Sequence, residues 1–228
     1  RNTGILPHSF KVIYISSQQC LLTFKVNVGE IMGANKIIDI AECIKEKIKD
    51  YGIHAGMCIL SNHCPERIAK ASCDIPIKII GEELAKNIEL ASEIADLNKS
   101  RAVTHNKGIF NSISGMGLAL GQDIEAIEAA GHAYAHQGTE YKPLSKWYID
   151  HNNHVLRGEI ILPTPTSCFT KPKTCEHIKT AFIIGQIQNN ADMGCKMACA
   201  GLAANFAALK ALTTEGMKGH KKLHEKKL

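Results

Sequence analysis

The sequence predicts an α+β fold, in which a small sheet covered by helices is joined to a mainly helical part that carries a β-hairpin. Three observations predict this arrangement. Short apolar runs alternate with segments of helical periodicity through the first hundred or so residues. The segment 191–213 is rich in alanine, glycine and methionine, which is typical of a closely packed helix. The run 145–162 has two strand-like halves around Asn152-Asn153.

The first part of the chain alternates between strand and helix patterns. The segment 21–28 alternates in part between apolar and polar residues and predicts a strand. Isoleucines at helical spacing predict a helix over 32–50, which Gly52 then stops. Further strands are predicted over 56–62 and 68–76. This order favours an open sheet with helices on one side.

An amphipathic helix and the polar stretch after it define the predicted division of the chain. Apolar residues recur every three or four positions through 82–97, and the polar residues 98–101 follow. A polar stretch between two patterned segments is typical of a boundary. We therefore expect two domains, 1–99 and 100–228.

The second part is predicted to be mainly helical around the hairpin. Residues 105–120 are mostly small and apolar, which is typical of a packed helix. Prolines mark a loop that begins at Pro163. The remaining helices are predicted over 123–136, 174–184 and 191–213.

Composition excludes several classes of protein. Hydrophobic residues make up 45% and charged residues 21%, which is typical of a globular protein. No apolar run reaches the roughly 18 residues of a membrane span. The net charge of +5 comes mostly from lysines in 218–227, so a broad nucleic-acid-binding face is not expected. We expect a cytoplasmic protein that binds neither membrane nor nucleic acid.

The cysteines do not predict a metal site. There are nine, and none forms a C-x-x-C pair. This spacing is not that of a zinc site, so we expect reduced, buried thiols and no metal.

Lys107 and Asp123 are the first candidates for chemistry, because glycines surround them and sixteen positions separate them. A buried ammonium beside a carboxylate suits a reaction in which a carbonyl oxygen gains negative charge and then a proton. We expect Lys107 to point inward and the two side chains to meet in a cleft that holds little water. The pattern also allows an exposed helical lysine and an aspartate that caps a helix.

The segment Thr104-His-Asn-Lys-Gly-Ile109 resembles the lysine motif of class II hydroxymethylglutaryl-CoA reductases. Several other segments resemble motifs of the same family, in the family's order. They are Val26-Asn-Val-Gly-Glu-Ile-Met-Gly-Ala-Asn35, Ile59-Leu-Ser-Asn62, Gly131-His-Ala-Tyr-Ala135, Pro143-Leu-Ser-Lys-Trp147, Gly201-Leu-Ala-Ala-Asn205 and Glu215-Gly-Met-Lys-Gly-His220.

The resemblance implies a reaction of the mevalonate pathway of isoprenoid biosynthesis. Hydroxymethylglutaryl-CoA is reduced to mevalonate and CoA by two hydride transfers from NADPH or NADH. Lys107 then stabilises the anionic carbonyl oxygen, Asp123 holds the lysine, and His220 protonates the departing CoA thiolate. A solvated histidine in a lysine-rich tail is the other interpretation of His220.

The resemblance also implies the binding residues and the character of the domains. Arg101 and Asn205 match contacts to the substrate, although a salt bridge and a hydrogen-bonded helical amide are open alternatives. The cofactor side matches Glu30, Met32, Gly33, Ala34 and Asn62. Residues 1–99 would be part of a small, ferredoxin-like cofactor domain, and 100–228 part of the large catalytic domain. A homodimer is the expected assembly.

Departures from the family pattern affect the expected activity. The approach to His220 is one residue shorter than usual, Ala204 stands where the family usually has glutamine, and prolines occupy the loop 163–170. The family's catalytic glutamate and C-terminal flap have no counterpart in these residues. We therefore expect the chain alone to be a poor catalyst. The alternative is a decayed or truncated, non-catalytic remnant that keeps the fold or an oligomer interface.

Overall fold

The computed structural model describes residues 7–136, 138, 140–168 and 175–216. It contains helices and two small antiparallel sheets, which confirms the predicted α+β class. The chain divides into two compact units, residues 1–61 and 62–228.

The described residues of the first unit form a β-hairpin and one α-helix. Strand β1 (Pro7–Tyr14) pairs antiparallel with β2 (Cys20–Val26), and helix α1 spans Ala34–Ile48 before a short 3-10 turn at Lys49–Tyr51. Gly52 ends this turn with a φ of 73°, a left-handed conformation that glycine adopts without strain. Among the described residues of this unit, Gly33 alone is buried. The ferredoxin-like arrangement of a larger domain stays a prediction.

The second unit contains a three-stranded sheet in the order β3-β5-β4. Its strands are β3 (Ile68–Pro76), β4 (Ser145–Asp150) and β5 (Val155–Pro163). Trp147 on β4 pairs with Gly158 on β5, and a Cβ added at Gly158 would lie 2.5 Å from the indole ring. The missing side chain of this glycine therefore makes room for the buried tryptophan.

The helices of the second unit pack around this sheet. They are α2 (Ile77–Ile80), α3 (Glu82–Leu97), α4 (Lys99–Ala119), α5 (Ile124–Ala135), α6 (Glu176–Ile184) and α7 (Asn190–Thr214). Helices α4 and α7 approach closely where a Cβ added at Gly201 would lie 2.9 Å from Ile113. The buried core includes Ile88, Ile109, Ile127, Leu162, Met193 and Leu209.

Most of the predicted elements are confirmed. The strand over 68–76, the helix over 82–97, the hairpin and the long helix near 191–213 all occur. The strand predicted over 56–62 is wrong, because these residues form no regular structure. Strand β1 was not predicted.

The predicted division lies between residues 99 and 100, whereas the border between the two compact units lies between Ser61 and Asn62 in the chain. The polar stretch there is a helix start, since the Asn98 side chain accepts a hydrogen bond from the Arg101 backbone N–H at 2.9 Å. Only this cap separates α3 from α4. The functional assignment of the two parts of the chain stays a prediction.

Helix α7 is long and apolar enough to cross a membrane by length and composition. It packs instead against α3, α4, β3 and β5 within the second unit. Its buried residues include Met197 and Leu202, as expected for the core helix of a globular unit.

All nine cysteines are free, but the expectation that they are buried is wrong. Cys20, Cys43, Cys73, Cys195 and Cys199 are exposed, and the other four are partly exposed.

Candidate functional site

One face of α4 is open, and it carries polar side chains together with the exposed Leu118. Thr104, Lys107, Asn111 and Gly115 are exposed and recur at helical spacing, while the opposite face is buried. A Cβ added at Gly115 would meet no atom within 4 Å. Lys107 therefore points to solvent in this chain, and the expectation that it points inward is wrong. Its register with Thr104 and Asn111 places it opposite the packed side of the helix.

Arg101 lies in the first turn of α4 and is half-buried. Burial lowers the pKa of its guanidinium, because desolvation disfavours the charged form. Within the described parts of the chain, Arg101 makes no ion pair within 4.0 Å, so the alternative of a boundary salt bridge is not found there. A half-buried guanidinium of this kind suits an incoming carboxylate.

Asp123 is the N-cap of α5. Its exposed carboxylate accepts a hydrogen bond from the Ala126 backbone N–H at 2.9 Å, as the capping interpretation predicts. No ion pair within 4.0 Å joins Asp123 to Lys107 in the described structure. The predicted meeting of the two side chains in a dry cleft is therefore wrong for this chain by itself. The carboxylate is directed to its own helix, and the lysine lies on a solvent-facing stripe.

Asn205 lies in a buried hydrogen-bond network between α7, α4 and β4. Its Oδ1 accepts hydrogen bonds from Ser145 Oγ at 2.9 Å and from Trp147 Nε1 at 2.8 Å, and its Nδ2 lies 3.1 Å from His105 Nε2. Asn205 is 2% exposed. The described structure therefore matches the hydrogen-bonded helical amide, and the substrate contact stays a proposal that needs this network to open.

His105 also belongs to this network, although the sequence did not indicate it as a site residue. Its Nε2 lies 2.7 Å from Ser145 Oγ, and the residue is 2% exposed. Burial, and then the charge of Arg101, lower the pKa of the imidazole to about 4, so the ring is neutral near pH 7. Its place beside Lys107 in the lysine motif was the signal that could have selected it.

The last residue of β5 and the proline loop that follows it are buried over residues 163–167. Protein groups bind its backbone: Arg67 Nη2 donates to the Thr166 carbonyl at 2.9 Å, and the Thr164 N–H donates to the Arg67 carbonyl at 2.9 Å. The backbone of this part of the loop is therefore engaged by the protein itself, and the departure from the family pattern stays a prediction.

Four of the five predicted cofactor-side residues lie in the first unit. Gly33 precedes α1 with a φ of 92°, and a Cβ there would lie 2.3 Å from Val28, so only glycine fits. Met32 and Ala34 are partly exposed and Glu30 is exposed. Asn62 is exposed and begins the second unit.

The other site predictions concern the tail and metals. His220 lies outside the described residues. The described residues contain no group of three or more histidine, cysteine or acidic side chains arranged to hold a metal ion.

Comparison with known proteins identifies the family. The family model described as hydroxymethylglutaryl-coenzyme A reductase matches residues 3–225. A probable 3-hydroxy-3-methylglutaryl-coenzyme A reductase of Borreliella burgdorferi is 38% identical over 218 residues, covering 91% of this chain and 50% of that protein. The 3-hydroxy-3-methylglutaryl-coenzyme A reductase of Archaeoglobus fulgidus is 36% identical over 221 residues, covering 94% of this chain and 50% of that protein.

Solved structures agree with these sequence relatives. A reductase of the same name from Streptococcus pneumoniae superposes with a TM-score of 0.83 at 32% identity, covering 92% of this chain and 60% of that one. A class II enzyme from the same organism, bound to NADPH in open conformations, gives a TM-score of 0.83 at 34% identity, with coverages of 96% and 56%. The chain spans 50% of the length of the sequence relatives it matches. It belongs to the hydroxymethylglutaryl-coenzyme A reductase family.

Proposed function

We propose that this chain supplies the lysine-bearing part of an NADPH- or NADH-dependent hydroxymethylglutaryl-CoA reductase. The observation that carries the proposal is the open face of α4, where Lys107 is exposed and Arg101 is half-buried with no acidic partner among the described residues. Two cations on one helix suit a substrate with a free carboxylate and a thioester carbonyl. The family membership of the chain supports the same substrate.

Each residue has a distinct role in the proposed reaction. Arg101 binds the substrate carboxylate with its planar guanidinium. The Lys107 ammonium donates a hydrogen bond to the carbonyl oxygen as this oxygen becomes anionic, and later gives a proton to the oxygen of the aldehyde. Asp123 holds Lys107 once the site has closed, and His220 protonates the CoA thiolate as it leaves. The nicotinamide cofactor supplies a hydride in each of the two steps.

The proposed site has to be shielded from solvent by another part of the protein, because Lys107 and Asp123 are both exposed in this chain. A cation in a water-poor cleft stabilises an oxyanion far better than one in bulk solvent. We infer that a second copy of the chain, or a further part of a longer protein, closes over α4 and brings Lys107 and Asp123 together. A cytoplasmic homodimer is the assembly we propose.

The cofactor would lie on the motif that contains Gly33. Gly33 has a positive φ, and the Val28 side chain fills the space that a Cβ would need, so only glycine fits this turn and it fixes the backbone that leads into α1. The residues proposed to contact it are Glu30, Met32, Gly33, Ala34 and Asn62.

A second candidate is a non-catalytic remnant of the enzyme. Two observations favour it. The amide of Asn205 is engaged by Ser145 and Trp147, and the backbone of the proline loop is engaged by Arg67. A remnant of this kind keeps the fold and binds CoA esters without turning them over, whereas stable folding without binding would indicate a purely structural role.

A binding and turnover experiment separates these candidates. Calorimetric titration with hydroxymethylglutaryl-CoA should show binding that Arg101→Gln weakens, whereas Lys99→Gln, an exposed change in the same helix turn, leaves the affinity unchanged. Steady-state assays with NADPH and with NADH then test catalysis. Binding without turnover favours the remnant, and robust turnover by these 228 residues refutes the expectation of poor catalysis. Equal affinity of Arg101→Gln and Lys99→Gln for hydroxymethylglutaryl-CoA would contradict the proposed role of Arg101.

A further inference from the structure

The side chain of Gln122 joins the turn between α4 and α5 to the buried loop 163–167. Gln122 Oε1 accepts a hydrogen bond from the Ser167 backbone N–H at 2.8 Å. Its Nε2 donates to the Ser167 carbonyl at 3.1 Å and to the Leu120 carbonyl at 2.8 Å. The amide group of one side chain thus pairs with both backbone polar groups of Ser167, as a neighbouring strand would.

The backbone of Gln122 is also fixed. Its N–H donates to the Gly117 carbonyl at 2.8 Å, and Gly121 before it has a φ of 63°, which closes the end of α4 tightly. Gln122 is therefore held at its main chain by α4 and at its side chain by the loop. The next residue in the chain is Asp123.

Hydrogen bonds hold the chain on both sides of Asp123. On the preceding side is Gln122, and on the following side is the cap bond from Ala126 to the Asp123 carboxylate. Ser167 is 9% exposed, so removing the Gln122 amide would break two hydrogen bonds to its backbone in a nearly dry setting. The turn would then have to rearrange, and Asp123 would move with it.

We propose that Gln122 is a positioning residue, which sets the place and direction of the Asp123 carboxylate by docking the α4–α5 turn on the loop Pro163–Ser167. The catalytic consequence rests on the proposed role of Asp123, whereas the positioning itself does not. The proline loop, which departs from the family pattern, thereby contributes to the site through Asp123 and not through a contact of its own with substrate.

Amide hydrogen exchange tests the positioning in the full chain without substrate. Gln122→Met keeps the volume and length of the side chain and removes its three hydrogen bonds. Exchange of the Ala126 amide should rise about tenfold, because the cap that protects it loosens. Exchange of the Asp192 amide, which Asn189 caps in the same way at 2.9 Å, is the internal reference and should not change.

Two further variants keep the test decisive. Gln122→Glu retains the acceptor for the Ser167 N–H but places a carboxylate against two carbonyl oxygens, so it should raise Ala126 exchange as well. Arg67→Met loosens the same loop at Thr166 and leaves the Gln122 contacts in place, so its effect on Ala126 should be smaller. Unchanged Ala126 exchange in both Gln122 variants overturns the proposal. An effect of Arg67→Met equal to that of Gln122→Met also overturns it, because general loosening of the loop then explains the result.

Turnover reports separately on the proposed function. In a preparation of the enzyme that turns over, Gln122→Met should lower kcat about tenfold or more and leave KM nearly unchanged, because a misplaced Asp123 weakens transition-state contacts. Raised Ala126 exchange with unchanged kcat would overturn the catalytic role of Asp123 alone. A wild-type chain without any turnover bears only on the proposed function, since the exchange experiment does not use the reaction.

Discussion

His105 Nε2 lies 2.7 Å from Ser145 Oγ, so the helix that carries Lys107 is hydrogen-bonded to the first residue of β4. This contact joins two segments that are 40 positions apart in the chain. It is buried, and Asn205 of α7 completes it from a third element. A polar network on the buried side of α4 therefore fixes the orientation of the exposed face of this helix.

Acid should destabilise the chain through His105. Burial lowers the pKa of this imidazole from 6.5 to about 4 in the folded state, so the unfolded chain binds the extra proton more readily between these values. The stabilisation is present above pH 6.5 and is lost as the pH falls toward 4, by about 3 kcal/mol in order of magnitude. Denaturant unfolding across this pH range measures it.

The matched variants are His105→Gln and His136→Gln. The first should flatten the pH dependence of the unfolding free energy between 4 and 6.5, whatever its effect at neutral pH. The second changes an exposed histidine and should leave the slope intact. Identical slopes in wild type and His105→Gln would show that other groups cause the acid sensitivity.

Asn205→Leu should destabilise the second unit by about 1–3 kcal/mol, because Trp147 Nε1 and Ser145 Oγ lose their acceptor in a buried setting. Asn111→Leu changes an exposed asparagine of α4 and should alter stability by less than about 0.5 kcal/mol. Chemical denaturation measures both. If Asn205→Leu is as harmless as its control, the network contributes nothing to stability, and Asn205 is free to serve substrate.

Gly201→Ala should cost about 1–3 kcal/mol, because its Cβ would lie 2.9 Å from Ile113 and 3.0 Å from Ile109 where α7 crosses α4. Gly115→Ala, on the open face of α4, meets nothing within 4 Å and should be neutral or stabilising by up to about 1 kcal/mol. Thermal melting of the two variants tests the difference in sign. A stabilised Gly201→Ala would mean that the two helices do not pack at this distance.

Lys107→Met should leave the fold intact, since the side chain is exposed, and should lower turnover by a factor of roughly 100 or more wherever the enzyme is active. Lys99→Met, at the start of the same helix, is the control and should keep wild-type turnover. Circular dichroism and steady-state kinetics together test the pair. Full activity of Lys107→Met would remove the lysine from the mechanism.

Local patterns predicted the elements whose signals are local. Asn152-Asn153 lies in the turn between β4 and β5, and helical spacing found α3 with its observed bounds. The polar residues 98–101 contain the N-cap of α4, and polarity alone did not distinguish a cap from a linker, because both favour the same side chains. The segment 56–62 is largely apolar but pairs with no strand among the described residues, so its pattern does not become a strand.

The site was less predictable than the fold, because its contacts are distant in the chain. Asn205 is 60 positions from Ser145 and 100 from His105, so no spacing rule brings them together. The exposure of Lys107 depends on which face of α4 packs, and α7 decides this from almost a hundred residues away. The cap at Asp123 is local, and its residue type alone indicated it.

The hairpin of the first unit has a consequence for handling the chain. Both β1 and β2 have an unpaired edge among the described residues, and their side chains Phe10, Tyr14 and Leu21 are exposed to solvent. A two-stranded sheet with exposed aromatic and aliphatic side chains and unpaired edges is a template to which a further strand can bind. At high protein concentration this hairpin is where we expect precipitation to begin, and a short solubilising tag beside it should delay the onset of turbidity more than one placed after α7.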